Sequence, residues 1–451
     1  MTLASSFVSF HERYSHFFVT KTRTSASQAF HYLKGLVQSA RKNIERMIEV
    51  VPDSDYQSLQ HFVTNSPWEA RPVVDQVAMD ADRLFGGTLD TGLIIDESSF
   101  PKAGKKSVAV NRQWCGNRGK VDNCQVAVFA SLVRGSSAAL VDGRLYVPKD
   151  WTDDSDRCRD AGIPKGIIFK SKSQLALDSV RHLRDLGIRF SWVGIDGGYG
   201  KEPHFLSTLD DYGELFVADV HKDQPIYLED PAPYIPERKS AKGRTPTLYK
   251  ANGTPVEVQA WAAAQPEEAW RRITTRNSTK GILQVDVLVQ RVWVWNKEET
   301  SARHWTLIVR REVDSIQTIK YSFSNAPEDT SAERLAFMQG QRYFVERAFQ
   351  DAKGVAGMSH YQVRSWQSWH HHMTMVMMTM LFMLETRIEQ KDDYPLLSCP
   401  DIAKLLSTFL PRRDASIDEI FRQMEARHKQ RQASIDSAYW RQFSKLCVQL
   451  K

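Results

Sequence analysis

The sequence is poor in cysteine. It has five cysteines in 451 residues, an odd number, and no two of them form a C-x-x-C pair. That spacing is typical of zinc modules, so its absence argues against one. Unpaired thiols are usual in a reducing compartment. We therefore expect an intracellular protein without a structural zinc site.

The sequence also lacks a long apolar run. Its most apolar helical stretch, residues 373–384, is too short for a bilayer, which takes about 20 residues to cross. The N-terminus has no signal-peptide pattern. We expect a soluble, cytoplasmic protein that is free to reach the nucleoid and has no membrane partner.

Acidic residues are missing between Pro101 and Lys120, although the net charge of the whole chain, +6, is modest. Such a basic stretch is typical either of a solvated hairpin or of a segment that follows a DNA backbone. Its position directly after Asp96 favours the second interpretation. The basic residues of this stretch are Lys102, Lys105, Lys106, Arg112, Arg118 and Lys120.

Two apolar runs each end in an aspartate. Residues 92–95 lead to Asp96, and residues 190–195 lead to Asp196. Each pattern predicts a buried strand that delivers an acid at its carboxyl end, where open α/β sheets place their functional groups. Either aspartate alone would more often be a turn or cap residue. The interpretation therefore depends on the pair.

A helix is predicted over residues 331–354. Thr330 and Glu333 have the spacing of a capping box at its start, and Gly354 is a suitable end. Gly340 interrupts the pattern and weakens this prediction.

This helix carries a third carboxylate between two cations. Arg342, Glu346 and Lys353 lie on one side of it, beside its apolar stripe. Alone, the three charges would form a surface ladder of ion pairs. Together with Asp96 and Asp196, however, Glu346 completes an Asp, Asp, Glu set. Such a set can hold two hard cations for in-line displacement at phosphorus.

Longer blocks accompany these acids. The motif R-x3-E-x6-K surrounds Glu346, and the further blocks are I-D-E-S-S-F-P-K-A-G-K-K-S-V-A-V from Ile95, N-C-Q-V-A-V-F from Asn123, Y-V-P-K-D-W-T-D-D from Tyr146, G-Y-G from Gly198 and F-Q-D-A-K-G-V-A-G-M-S-H-Y-Q-V-R-S-W from Phe349. Over roughly residues 92–384 the chain resembles the DDE transposases of bacterial insertion sequences, and more narrowly the insertion-sequence 701 family. It departs from the related Y-x2-R-x3-E-x6-K signature at Gln339, which replaces the tyrosine. Glycines follow Asp196 where an acidic residue is expected.

The resemblance implies an α/β fold: an RNase H-like catalytic core interrupted by a β-rich insertion domain, with helical N- and C-terminal regions. The predicted divisions are a helical DNA-binding domain at 1–88, the first part of the core at 89–220, the insertion at 221–328, the second part of the core with the catalytic helix at 329–390, and a helical C-terminal region at 391–451. The two short helices near residues 56–63 and 68–78 belong either to a helix-turn-helix or to a plain helical bundle.

The resemblance also implies a chemistry. Asp96, Asp196 and Glu346 are the expected catalytic residues and ligands of two Mg²⁺ ions, for which Mn²⁺ can substitute. Arg342 and Lys353 are expected to hold DNA phosphates or to steady the carboxylates. The expected partners are double-stranded transposon ends with terminal inverted repeats, target DNA and a second copy of the chain. Two alternatives remain: a catalytically silent DNA-binding regulator, and a metal-dependent nuclease without a joining step.

The predicted insertion supplies two further sets of candidates. Its basic loop contains Lys239, Lys242 and Arg244, which we expect to contact DNA. Its strands carry Trp293, Trp295 and Trp305, which either pack in a small β-domain or stack on an unpaired base at the transposon end.

Three successive histidines at residues 370–372 follow the predicted catalytic helix. Adjacent residues of a helix point in different directions. The spacing therefore disfavours a shared metal ion.

Overall fold

A computed structural model describes residues 2–21, 23–200, 202–238, 245–278, 281–313, 315–414 and 416–449. The chain divides into two compact units. A helical unit combines Met1–Val73 with Asp351–Lys451, and a sheet unit consists of Val74–Gln350. The five-part division drawn from the sequence stays a prediction.

Helices provide most of the first unit and flank the sheet of the second. Their bounds are α1 Leu3–Tyr14, α2 Ala26–Gln38, α3 Ile44–Val50, α4 Tyr56–Thr64, α5 Ala70–Phe85, α6 Lys149–Thr152, α7 Ser155–Asp160, α8 Lys172–Asp185, α9 Gly197–Gly200, α10 Pro203–Asp211, α11 Val258–Ala263, α12 Ala332–Gly340, α13 Arg342–Gly354, α14 Trp366–Glu389, α15 Cys399–Phe409 and α16 Ile417–Gln449. Short 3-10 helices cover Ser15–Phe18, Gly116–Arg118 and Glu267–Ala269. Within the described ranges, none of these helices combines the length and apolar character needed to span a membrane.

The strands all belong to the second unit. Their bounds are β1 Gly92–Pro101, β2 Asn111–Cys115, β3 Lys120–Arg134, β4 Ser137–Leu145, β5 Trp192–Ile195, β6 Phe216–Val220, β7 Pro225–Ile226, β8 Val256–Glu257, β9 Arg271–Ser278, β10 Gly281–Val294, β11 Arg303–Glu312 and β12 Ser315–Ser324. The predicted α/β class with helical ends is confirmed.

Helix α14 belongs to the core of the helical unit. It begins after Ser365, whose side chain accepts a hydrogen bond from the backbone N–H of Ser368, and it is buried over most of its length. Near its start, the ring of His371 stacks on that of Trp68, which is itself only 3% exposed. Trp68 thus packs as part of a helical bundle.

The large sheet is mixed and has the order β2-β3-β1-β5-β6-β12-β11-β10-β9, with β4 paired to β3. Strands β1, β5 and β6 run parallel to one another, and the remaining pairs in this sheet are antiparallel. Parallel neighbours bring their carboxyl ends to one edge of a sheet. This edge, at the ends of β1, β5 and β6, is called the acid edge below.

The strands of the predicted insertion continue this sheet. Strand β12 pairs with β6 over Tyr321↔Val220 to Ser324↔Val217, and β11, β10 and β9 follow outward. Strands β1 and β5 lie where the apolar runs before Asp96 and Asp196 predict strands, and β10 and β11 carry Trp293 and Trp305 of the predicted insertion, whereas β4 and β12 were not predicted.

The single helix predicted over residues 331–354 is wrong: the structure has two. Helix α12 ends at Gly340 and α13 begins at Arg342. Glycine lowers helix propensity by roughly 1 kcal/mol, which accounts for a break at this point. The N-cap is Ser331 rather than Thr330, because the Ser331 hydroxyl accepts a hydrogen bond from the backbone N–H of Arg334 at 3.2 Å.

Candidate active site at the acid edge

Asp96 and Asp196 lie side by side at the acid edge. The parallel strands β1 and β5 pair from Gly92↔Trp192 to Ile95↔Ile195, so the aspartates are the next residues in register. Neighbouring strands are roughly 4.8 Å apart, and residues level with one another point to the same face. The structure therefore brings the two predicted acids together at the ends of their strands.

Each aspartate is fixed by backbone donors. The Asp196 Oδ1 atom accepts hydrogen bonds from the backbone N–H groups of Gly198 at 2.9 Å and Tyr199 at 3.3 Å. The Asp96 Oδ1 atom accepts one from the backbone N–H of Glu97 at 2.7 Å. Gly200 permits this tight turn, since a Cβ there would lie 1.9 Å from the carbonyl oxygen of Asp219.

Arg342 connects the third carboxylate to the first. Its Nη2 atom lies 3.8 Å from Asp96 Oδ2 and 3.7 Å from Glu346 Oε1. The Glu346 side chain is 60% exposed, whereas that of Arg342 is only 18% exposed. The glutamate therefore reaches the acid edge from solvent, and the arginine is enclosed among the carboxylates.

The structure adds a carboxylate that the sequence reasoning missed. Asp219 on β6 follows the pair Ile195↔Ala218, so it is level with Asp196 on the next strand. Its Oδ2 atom accepts a hydrogen bond from Arg342 Nη1 at 2.8 Å. The available signal was an acid inside an otherwise apolar strand, in the sequence F-V-A-D-V from Phe216.

The surroundings of Asp96 at the acid edge disfavour its charged form. The pKa of Asp96 is raised to about 7, chiefly by burial. The charge of Arg342 lowers this pKa, whereas the charges of Asp196 and Glu346 add to the rise. Burial disfavours the charge on Arg342, yet the carboxylates of Asp219 and Asp96 hold its pKa above the ordinary value. One guanidinium therefore compensates only part of the negative charge.

The donor chemistry at this edge suits a hard divalent cation. Asp96, Asp196 and Glu346 offer carboxylate oxygens, the ligands that Mg²⁺ prefers. In the part of the chain that the structure describes, however, no three such side chains converge closely enough to form a finished metal site. The enclosed Arg342 and the exposed Glu346 account for this, because a guanidinium stands between the strand acids and the helix acid.

The predicted DNA-binding residues after Asp96 are mostly in solvent. Lys105, Lys106, Arg112, Arg118 and Lys120 are exposed, although Arg118 forms an ion pair with Asp122. Lys102 differs, because burial lowers its pKa to about 7.

Four other residues predicted to contact DNA lie elsewhere in the chain. Lys239, Lys242 and Arg244 lie outside the described residues. Lys353 lies on α13, about two turns beyond Glu346 and past the residue at which the two units part.

The three tryptophans differ in burial. Trp305 is 3% exposed and donates from Nε1 to Asp210 Oδ2 at 3.2 Å, and Trp295, 9% exposed, donates to the carbonyl oxygen of Glu299 at 2.9 Å. Trp293 is half-buried and stacks on the ring of exposed His304, with 4.4 Å between ring centroids. The base-stacking prediction therefore narrows to Trp293.

Comparisons with known proteins agree with the resemblance found in the sequence. Residues 14–282 match the family model described as a DDE superfamily endonuclease, which is more than half of the chain. The matched region includes Asp96 and Asp196 and ends before Glu346. The chain is also 27% identical over 205 residues to a protein of Microchaete diplosiphon described as a "probable transposase for insertion sequence element IS701".

That alignment spans 45% of this chain and 50% of the relative, so the chain matches about half of the relative's length. Among solved structures, the NurA nuclease from Sulfolobus solfataricus aligns with 62% of this chain and 86% of its own, at 11% identity and a TM-score of 0.25. A TM-score at that level adds nothing to the assignment. The family model and the relative together confirm the resemblance.

Proposed function

We propose that this chain, which belongs to the family of DDE superfamily endonucleases, is a DNA transposase of the insertion-sequence 701 type. It binds double-stranded transposon ends that carry terminal inverted repeats, cuts them in a metal-dependent reaction and joins them to target DNA. A second copy of the chain completes the complex with the two ends, and the nucleoid is its place of action.

One observation carries the proposal. Asp96 and Asp196 are level with one another at the ends of adjacent parallel strands, and Arg342 lies between Asp96 and Glu346, which is on a separate helix. Three carboxylates on three elements, gathered at one edge of a sheet, supply oxygen ligands for phosphoryl transfer. The arrangement would be unnecessary in a silent regulator that only binds DNA.

The sheet order supports an RNase H-like core within this fold. Strands β1, β3 and β4 are antiparallel neighbours, α8 follows, and β5 and β6 then add parallel strands on the other side of β1. We keep residues 89–220 and 329–390 as the two parts of this core and 221–328 as the insertion; of the second part, residues 329–350 belong to the sheet unit and the rest to the helical unit. The insertion extends the core sheet through β12.

The catalytic roles follow from the ligand chemistry. Asp96, Asp196 and Glu346 would hold Mg²⁺, which, when bound, activates water or a 3′-hydroxyl and stabilises the leaving oxygen. The backbone donors of Gly198 and Tyr199 hold the Asp196 carboxylate in place for this role. Arg342 balances part of the charge of the carboxylates of α13 and β1 without a close hydrogen bond to either, which fits its burial better than direct contact with a DNA phosphate.

The test is a cleavage and joining assay on labelled DNA ending in the element's own inverted repeat, with Mg²⁺ and a supercoiled target. Cutting at the repeat followed by joining supports the transposase. Because the family is described as an endonuclease, the second candidate is a nuclease without a joining step. Cutting without joined product, in the presence of both ends, would favour that candidate. Equal cutting of scrambled ends would contradict end recognition.

A further inference from the structure

A row of hydrogen bonds leads from the acid edge into the sheet unit. Gln339 Nε2 donates to Ser322 Oγ at 2.6 Å, and Ser322 Oγ donates to Asp219 Oδ1 at 2.6 Å. Arg342 Nη1 then donates to Asp219 Oδ2 at 2.8 Å. Ser322 is 0% and Gln339 5% exposed, so these bonds are shielded from water. The row joins β6, β12, α12 and α13.

Asp219 lies at the centre of this row and has both of its oxygens engaged. Of the three carboxylates near Arg342, it makes the shortest contact, at 2.8 Å against 3.7 Å and 3.8 Å for Glu346 and Asp96. Charge-assisted hydrogen bonds between a guanidinium and a carboxylate are strong and directional. The Asp219 contact therefore fixes where the Arg342 side chain stands.

This fixed position matters because a guanidinium and a divalent cation compete for the same carboxylate oxygens. At 3.7 Å and 3.8 Å, Arg342 Nη2 is near enough to attract Glu346 and Asp96 but too far for a normal hydrogen bond. The oxygens of these two carboxylates thus stay open on the side facing Arg342. An arginine released from Asp219 would close the distance to Asp96.

We propose that Asp219 is a positioning residue that holds Arg342 away from Asp96 and Glu346, so that those carboxylates bind the metal ions. This inference rests on the proposed function and deepens it. Ser322 and Gln339 support Asp219 from the other side. The side chain at position 339, where the related signature has tyrosine, thus acts here through β12 rather than on DNA.

The main test compares Asp219→Asn with the wild-type chain. The amide keeps the shape and one acceptor oxygen but loses the charge that retains the guanidinium. We expect Mn²⁺ affinity, measured by calorimetry without DNA, to fall roughly tenfold, the size of effect that a lost charge-assisted bond gives. The Mg²⁺ concentration for half-maximal cleavage should rise equally, and saturating Mg²⁺ should restore the cleavage rate.

A matched control is Asp142→Asn. Asp142 is a fully buried acid of the same sheet and pairs with Arg144 at 2.8 Å. This variant should lose stability without a change in Mn²⁺ affinity. An equal loss of affinity in both variants would show that sheet stability alone is responsible and would overturn the inference.

A double variant separates positioning from direct ligation. If Asp219 acts through Arg342, adding Asp219→Asn to Arg342→Gln should not change Mn²⁺ affinity further. A further tenfold loss would make Asp219 a metal ligand itself and overturn the inference. If Asp219→Asn does not fold, Ser322→Ala is the test instead, because it removes one hydrogen-bond donor to Asp219. A lower Mn²⁺ affinity in this variant supports the proposal, and an unchanged affinity counts against it.

The outcomes for the two proposals differ. A wild-type chain that neither binds Mn²⁺ nor cuts DNA contradicts the proposed function. An active wild-type chain with Mn²⁺ affinity unchanged in Asp219→Asn contradicts only the role of Asp219.

Discussion

The acid edge and the histidines of α14 are both groups of potential metal ligands, but they differ in how the fold arranges their members. The histidines at residues 370–372 are adjacent in the chain, whereas Asp96, Asp196 and Glu346 are separated by long stretches. Yet the carboxylates gather at one sheet edge and the histidines disperse. Parallel register brings distant residues together, while a helix turns neighbours about 100° apart.

The histidines show what dispersal does. His371 places its ring nitrogens against the carbonyl oxygens of Val63 and Trp68, at 3.0 Å and 2.9 Å. His372 Nδ1 meets the hydroxyl of Tyr32 at 2.8 Å, while His370 Nδ1 contacts the carbonyl oxygen of Trp366, one turn back in the same helix. Each ring serves the packing of the helical unit. At the acid edge, by contrast, burial and then the charges of Asp196 and Glu346 raise the pKa of Asp96, a perturbation typical of functional sites.

The largest expected effect removes the chemistry from the acid edge. Asp96→Asn, Asp196→Asn and Glu346→Gln should each reduce cleavage of end DNA on the order of 10³-fold or more, because each removes a proposed metal ligand. DNA binding, measured by gel shift, should change little, since the basic surface is intact. Asp286→Asn, a buried acid paired with Arg272, should keep its cleavage rate. A near wild-type rate in any one acid variant would remove that residue from the site.

The second effect concerns the stability of the helical unit. Burial lowers the pKa of His371 to about 4 from 6.5, although its carbonyl partners favour the protonated ring. The folded state thus binds fewer protons than the unfolded state between these values. The stabilisation that the neutral His371 ring gives the folded state is complete above pH 6.5. It is lost as the pH falls towards 4, which lowers the free energy of unfolding by roughly 3 kcal/mol at most.

Urea titrations across this pH range test the effect. His371→Gln should show a shallower fall in the free energy of unfolding than the wild-type chain does. His428→Gln, at an exposed position on α16, should keep the wild-type slope. If the free energy of unfolding falls with pH equally steeply in the wild-type chain and both variants, His371 is not the cause of the loss of stability.

A third, smaller effect concerns the basic stretch after Asp96. Changing Lys102, Lys105 and Lys106 to glutamine should weaken binding to all DNA sequences roughly tenfold at physiological salt and flatten the salt dependence. Burial lowers the pKa of Lys102 to about 7. Restoring Lys102 alone in the triple variant should therefore strengthen DNA binding more at pH 6, where the lysine is charged, than at pH 8. Lys165→Gln is the exposed control. An unchanged salt slope would mean that this stretch is a solvated hairpin.

The smallest expected effect is at Trp293. Trp293→Ala should leave folding and first-strand nicking intact but slow second-strand release a few-fold, less than the full 1–3 kcal/mol of a base stack, because the indole is half-buried. Trp305→Ala should instead destabilise the sheet, since that ring packs edge-on against Phe216. Unimpaired double-strand release in Trp293→Ala would exclude the stacking role.

The sequence predicted those parts of the fold that have a strong local pattern. The strands ending at Asp96 and Asp196 were visible as apolar runs bounded by an acid, and the structure places them as parallel neighbours. Strand β4 was missed because its sequence, S-A-A-L-V-D-G-R-L, is rich in residues that strands disfavour. Strand β12 did carry a signal, since Ile319, Tyr321 and Phe323 alternate with polar residues.

The remaining parts of the site depend on tertiary register. An apolar run is visible around residues 215–220, but only the pairing of β5 with β6 shows that Asp219 lies beside Asp196. Likewise, R-x3-E spacing placed Arg342 and Glu346 on one helix face without showing that the guanidinium is enclosed by acids of two strands. Local pattern cannot supply these distances.

The pairing of β6 with β12 makes the site one of the last features of the sheet unit to form during synthesis. Strands β1, β5 and β6 are synthesised first, and the edge of β6 stays unpaired until β12 has been made. Helix α13 comes after β12 in the chain. Contacts between such distant segments form slowly because a long loop must close first. A nascent or interrupted chain therefore carries Asp96 and Asp196 without Glu346, and the proposed metal site stays incomplete until α13 has been made.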